Sequence, residues 1–277
     1  MRVITAKKIT DLVAKLCVQA NLVLRKDTLS HLKSAYSKET RKSAKEFLSA
    51  IIKNAEIASL KKIAICQDTG LASVFVEIGQ DVRIAGSIKQ AINKGVEIGY
   101  KKGYLRNSVI RDPLSRKKAG YSPAIIHFDI NRGKKIKITV FPKGFGCENK
   151  TQLKMFPPTA RIKEIKEFII NAVKAAGADA CPPYTIGVGI GGTADYAVFL
   201  AKKALLGSAV RRPSSVGRKL GNDLLKEINK LNIGPMGLGG KTTALAINIE
   251  TYPTHIAGMP VAVNISCHAL RSATAVI

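Results

Sequence analysis

Residues 185–192 read Thr185-Ile186-Gly187-Val188-Gly189-Ile190-Gly191-Gly192: a short strand pattern closed by two glycines that end it in a turn. From Ala194 to Leu206 the apolar positions take up helical spacing. Just upstream stands Cys181-Pro182-Pro183, where two prolines forbid a helix and push Cys181 into an extended or turn conformation. Before it, Ile162–Ala176 has helical spacing and stops at Gly177. Downstream, Leu220–Leu231 reads as another helix, and Ala244–Ile249 and Val261–Ile265 read as strands.

Working outward, Gly144–Lys150 is a polar, glycine-bearing loop that follows a strand. Ala124–Ile130 and Ile136–Phe141 look like two strands joined as a hairpin by the turn at Asn131–Lys135. Ile84–Lys101 is helical in spacing, and the first sixty residues form a helical layer. Between them, Ile63-Ala64-Ile65 reads as a strand that stops at Cys66-Gln67-Asp68-Thr69-Gly70, so any reactive residue there would sit at a rigid strand end. No internal repeat or low-complexity linker interrupts the chain. The expectation is an α+β fold, with helices packed around mainly antiparallel short sheets, in a single domain spanning residues 1–277.

Composition removes several function classes. A chain of 277 residues with 46% hydrophobic composition can bury a substantial core. Its longest apolar stretches, Tyr184–Ile190 and Ala244–Ile249, are far below the roughly 20 residues that span a bilayer as a helix, so no membrane association is expected. Lys7, Lys8 and Lys15 interrupt the apolar residues near the N-terminus where a secretory signal needs an unbroken run, which points to the cytoplasm. The net charge of +26 would by itself suggest nucleic acid. The lysines are spread over almost every segment, however, and aromatic residues make up 5% with no tryptophan, so stacking platforms are lacking. The charge reads instead as solvated faces, with some attraction for an anionic substrate or an acidic partner subunit.

Gly234-Pro235-Met236-Gly237-Leu238-Gly239-Gly240-Lys241-Thr242 approaches a P-loop without being one. The first glycine of that motif would fall at Pro235, which has no N–H to offer a phosphate, and the residues after Thr243 suit a strand at least as well as the required helix. The loop reads as a tight turn near an active site or a subunit boundary.

Cys17, Cys66, Cys147, Cys181 and Cys267 are odd in number and widely separated, without any C-x-x-C pair. Disulfides, a zinc ribbon and a ferredoxin-type cluster are therefore not expected. Cys66, Cys181 and Cys267 each stand where an apolar segment meets a turn, a place from which a rigidly held thiolate can face a cavity. The plainer reading is that a buried cysteine is a small apolar core residue, as Cys17 on the apolar face of the first helix exemplifies.

Six motifs occur in a fixed order: Cys66-Gln67-Asp68-Thr69-Gly70, Lys143–Lys150, Cys181-Pro182-Pro183, Gly189–Thr193, Gly234–Thr242 and Ser266-Cys267-His268-Ala269. This series resembles the class I fumarate hydratases and their close relatives, the L-tartrate dehydratases, over roughly three quarters of the chain. The resemblance implies a [4Fe–4S] cluster held by Cys66, Cys181 and Cys267, with one iron lacking a protein ligand and acting as a Lewis acid. It implies Gln67, Arg106 and Gly146 as contacts to a small dicarboxylate substrate, and Asp68 and His255 as catalytic groups; for Asp68 a plain turn-capping role is the alternative. His268 reads as support beside Cys267. Cys147 departs from the family, which more often has serine there.

What the resemblance implies overall is reversible hydration of fumarate to L-malate, with dehydration of L-tartrate to oxaloacetate as the alternative. Many relatives carry a further C-terminal domain in the same polypeptide, whereas this chain stops ten residues after Cys267. The remaining active-site groups are therefore expected on a separate beta subunit, in a heterotetramer.

Overall fold

A computed structural model describes residues 2–207 and 215–277. In chain order it runs β1 (Arg2–Thr5), α1 (Ala6–Leu22), α2 (Lys26–Lys38), α3 (Lys42–Lys61), β2 (Leu71–Gly79), β3 (Val82–Ala85) and α4 (Ile88–Lys102). Then come β4 (Val109–Ile110), β5 (Ala119–Gly120), β6 (Ile125–Asn131), β7 (Ile136–Lys143), the single-turn α5 (Phe145–Glu148), β8 (Gln152–Phe156) and α6 (Ile162–Ala176). The rest is β9 (Tyr184–Gly192), α7 (Ala194–Ala204), α8 (Ser215–Asn229), β10 (Ala244–Thr254), β11 (Met259–Ser266) and β12 (Ala273–Val276). Helices and short sheets mix as an α+β fold should, and five of the eight strand pairings among the described residues are antiparallel. Among the same residues, no helix is long and apolar enough to cross a membrane.

Contacts divide the chain into two compact units, each assembled from separate stretches. The first comprises Met1–Arg25, Asn54–Phe145 and Arg271–Ile277. Its main sheet has the order β12-β7-β2-β6. Ile9, Val13, Leu16 and Cys17 along one face of α1 are buried with Ile92, Val96 and Tyr100 of α4 and with Val74, Ile138 and Val140 of the sheet.

Two sequence expectations change here. Residues 125–131 and 136–143 are strands but do not form a hairpin, because β2 lies between them, parallel to β6 and antiparallel to β7. The reason is visible in β2, whose Ala72–Val76 are all buried and so need a neighbour on either side. The turn that was to join the hairpin instead folds over the end of β2, where Lys135, Asn131 and Gly133 carbonyls accept the N–H groups of Gly79, Gln80 and Asp81. Ile63–Ile65 is likewise not a strand. The Ile65 N–H donates to the Asn21 carbonyl, and the Ile65 carbonyl accepts from Asn54 Nδ2, so no ladder partner is left for it.

The second unit comprises Lys26–Lys53 and Gly146–Leu270, around a sheet of order β10-β9-β11-β8. The alternation of β9 assigns its two faces. Ile186 and Val188 point into a core with Ile165 and Ile169 of α6 and Leu220, Leu224 and Ile228 of α8. Gly187 and Gly189 point the other way and let α7 approach the strand backbone, where a Cβ on Gly189 would stand 2.1 Å from the Ala197 carbonyl oxygen. Helix α6 occupies the expected fifteen residues and ends at Gly177, whose φ of 57° is a left-handed stop.

Gly189→Ala is therefore expected to lower stability by about 3 kcal/mol, the upper end for overpacking, because the obstruction is helix backbone and cannot rotate away. The midpoint of urea unfolding measures it; a change under about 0.5 kcal/mol, the size of an ordinary surface substitution, would contradict the proposed contact.

Candidate functional site

In the first unit, the turn Cys66-Gln67-Asp68-Thr69-Gly70 has no ladder of its own and is held by side chains. Both Asp68 carboxylate oxygens accept backbone N–H groups, Oδ1 from Gly70 at 3.0 Å and Oδ2 from Phe145 at 2.9 Å. Arg271, only 4% exposed, donates through Nη2 to the Asp68 carbonyl. The buried Tyr100 hydroxyl faces the carbonyls of Thr69 and Gly70 at 3.1 and 3.0 Å. Thr69 Oγ1 in turn accepts the Arg106 N–H at 3.0 Å. These bonds gather Gln67, Asp68 and Arg106 about one turn, with the Gln67 and Arg106 residues exposed and Cys66 half-buried.

In the second unit, Cys181 adopts a φ of 56°, a left-handed conformation uncommon outside glycine that its surroundings must enforce. Its N–H donates to the Ala178 carbonyl, and its own carbonyl faces the backbone N–H and ring Nδ1 of His268 at 3.3 and 3.1 Å. For the ring to make that bond, Nδ1 carries the proton. Cys267, at the end of β11, is thereby brought beside Cys181 through its sequence neighbour. The Cys267 N–H donates to the buried Cys147 sulfur at 3.1 Å. Gly146 is exposed, and a Cβ there would meet only the Asp179 carbonyl at 3.9 Å, so this chain's own contacts do not demand glycine.

The Gly234–Thr242 loop supports the Cys181 turn: the Met236 N–H donates to the Pro182 carbonyl at 2.9 Å. After it the chain enters β10, a strand where a P-loop requires a helix. The loop is fixed from its far end by Glu39, 3% exposed, which follows α2. Glu39 Oε2 accepts the Lys241 N–H at 2.7 Å, while Oε1 accepts those of Thr40 and Arg41, both at 2.9 Å. Gly240, at φ 124°, lies so close that a Cβ would stand 2.8 Å from Glu39 Oε2.

His255 occupies the turn between β10 and β11, exposed, with Nδ1 accepting the Ala257 N–H at 3.2 Å. All eight residues of β11, about 25 Å of strand, lie between this turn and Cys267. The structure thus brings Cys181, Cys267 and His268 together, gathers Gln67, Asp68 and Arg106 at another turn, and leaves His255 at the opposite end of β11 from Cys267. Sequence reasoning missed Glu39, Tyr100 and Arg271, whose bonds to Lys241, Gly70 and Asp68 span 202, 30 and 203 residues, beyond any local pattern.

The cysteines separate by environment. Cys17 and Cys147 are buried, whereas Cys66, Cys181 and Cys267 are half-buried. Burial pushes the Cys17 thiol up to about 12, which makes it inert. Among the described residues, no three His, Cys, Asp or Glu side chains are arranged as around a single metal ion. A cube asks for something else, since its ligands bind different irons and stand further apart. Part-exposed sulfurs at turns, as in each of these cysteines, have the donor chemistry that iron–sulfur clusters take.

Residues 10–276 match the family described as fumarate hydratase (fumerase). A Methanocaldococcus jannaschii protein named "putative L(+)-tartrate dehydratase subunit alpha" is 41% identical over 275 residues, covering 96% of both chains. The L(+)-tartrate dehydratase subunit alpha of Escherichia coli K12 is 27% identical over 277 residues, covering 98% of this chain and 91% of its own. The protein of the same name from Escherichia coli UTI89 is 28% identical over 274 residues, covering 96% and 90%.

Glu39 supplies a pH test of the loop's anchoring. Burial alone would raise its pKa, but the N–H groups of Arg41, Lys241 and Thr40, with the Lys241 charge, hold it below the ordinary 4.5. A depressed folded-state value means stability present above about pH 4.5 and lost as pH falls through that lower value. Glu39→Gln should therefore be less stable than the native chain by about 1–3 kcal/mol at pH 7, and the gap should close towards pH 3. Urea unfolding of both proteins across that range measures it; a gap independent of pH would contradict the role given to the carboxylate.

Proposed function

The chain belongs to the fumarate hydratase (fumerase) family, and from that premise we propose that it is the alpha subunit of a two-subunit, cluster-dependent hydro-lyase that dehydrates L-tartrate to oxaloacetate. The observation that carries the substrate is the 41% identity, over 96% of both chains, to a protein named as a tartrate dehydratase alpha subunit. Reversible hydration of fumarate to L-malate, which the motifs alone put first, is the second reading, favoured by the description of the family itself. The relatives' names move tartrate ahead of it.

In this proposal Cys66, Cys181 and Cys267 hold a [4Fe–4S] cluster through their thiolates. When bound, the cluster supplies a Lewis acid that eases loss of a hydroxyl as water. Arg106 offers a planar fork to a substrate carboxylate, and its exposed position beside the Cys66 turn suits that task. The Gln67 amide, exposed next to Cys66, can donate to a second substrate oxygen. Gly146 presents open backbone on α5 to the same dicarboxylate.

Asp68 acts by fixing the turn, since both its oxygens are already engaged by backbone N–H groups. With Nδ1 accepting a bond, the neutral His255 ring carries its proton on Nε2, from which it can be transferred. The remaining groups, including the base that removes the proton alpha to a carboxylate, belong to a beta subunit in a heterotetramer. A reducing cytoplasm suits thiolate ligands and an open cluster.

The test is anaerobic purification with and without the beta subunit, cluster reconstitution, and assays on tartrate and fumarate. Turnover is expected only with both chains present, with kcat/KM larger for tartrate. Larger kcat/KM for fumarate would establish the second reading, and full turnover by this chain alone would refute the two-subunit assignment.

A further inference from the structure

Cys147 lies in α5 at 5% exposure, and its sulfur touches both cysteine-bearing turns of the second unit. Its S–H donates to the carbonyl of Ala180, the residue before Cys181, at 3.5 Å. The same sulfur accepts the Cys267 N–H at 3.1 Å. A thiol can do both because one atom is at once a weak donor and a weak acceptor. The next residue extends the brace. Glu148 accepts Lys202 Nζ from α7 and Asn264 Nδ2 from β11, three residues before Cys267. Asn264, fully buried, also donates to Thr151 Oγ1 at 2.9 Å.

We propose that Cys147 is a positioning residue whose thiol, without binding iron, sets the spacing between the turns that carry Cys181 and Cys267. The inference rests on the cluster reading above and adds to it a role for a fourth cysteine. Two features separate this thiol from a ligand. It is buried where Cys181 and Cys267 are half-buried, and its proton is used: a sulfur that gave it up to bind iron would withdraw the donor from the Ala180 carbonyl. Alanine at this position removes both bonds at once, and serine keeps a donor and an acceptor there.

The experiment uses the full chain, purified anaerobically and reconstituted with iron and sulfide, as native protein, Cys147→Ala, Cys147→Ser and Ile169→Val. Ile169 is fully buried in α6 and serves as a control for destabilisation alone. Iron per chain, the rate of cluster loss to a chelator followed by visible absorption, and the melting temperature of the apo chain are read. Cys147→Ala should load the cluster and lose it on the order of tenfold faster, as when a residue that orients metal ligands is removed. Cys147→Ser should restore most of the native rate with an unchanged spectrum, and Ile169→Val should lower melting without accelerating loss.

A native rate in Cys147→Ala overturns the positioning role while leaving the cluster reading intact. If Cys147→Ala does not fold, the serine variant decides alone, because failure to load iron would make Cys147 a ligand and refute the proposal. If the native chain itself loads no iron, the cluster reading falls and the positioning role falls with it.

Discussion

A turn that presents a thiolate without a helix or strand beneath it must still satisfy its backbone polar groups, and each one left unpaired in the interior costs about 1–3 kcal/mol. In this protein those groups are paired by side chains, most of them remote in sequence. Asp68, Tyr100 and Arg271 hold the Cys66–Gly70 turn in the first unit. Cys147 and His268 hold the Cys181 turn in the second, and Glu39 holds the loop whose Met236 N–H supports Pro182. The geometry of the candidate site is thus a property of buried hydrogen bonds more than of secondary structure.

The sheets provide the fixed frame for those bonds. In the second unit, β9 places apolar side chains on one face and glycines on the other, so α6 and α8 bury Ile186 and Val188 while α7 comes close to the strand backbone. Cys181 precedes β9 and Cys267 follows β11, which pair antiparallel, so the two cysteines emerge at the same end of the sheet. The register Ile265 to Ile186 and Ser266 to Thr185 makes that nearness a consequence of strand pairing. The same pairing puts the His255 turn at the other end.

What the sequence made legible was whatever repeats locally. The N-terminal helices, the limits of α6 at Ile162 and Gly177, and the strand after Thr243 all follow from periodicity and from glycine and proline chemistry. The failed readings concern partners far along the chain. Nothing near residues 125–143 announces that β2, some fifty residues earlier, will insert between β6 and β7. Nothing near Ile65 announces that Asn21 and Asn54 will claim its polar groups. The three proposed ligands were found through ordered motifs, whereas Cys147, a departure from those motifs, showed its two hydrogen bonds only in three dimensions.

The central claim is that Cys66, Cys181 and Cys267 carry a cluster with one iron left open to a hydroxy acid. Mössbauer spectroscopy of the ⁵⁷Fe-reconstituted chain with its partner subunit, recorded before and after addition of L-tartrate, reads each iron separately. The account expects four irons per chain, one of which alone changes its signal when tartrate binds. Four irons that all ignore tartrate, or a chain that takes up no iron, would contradict it.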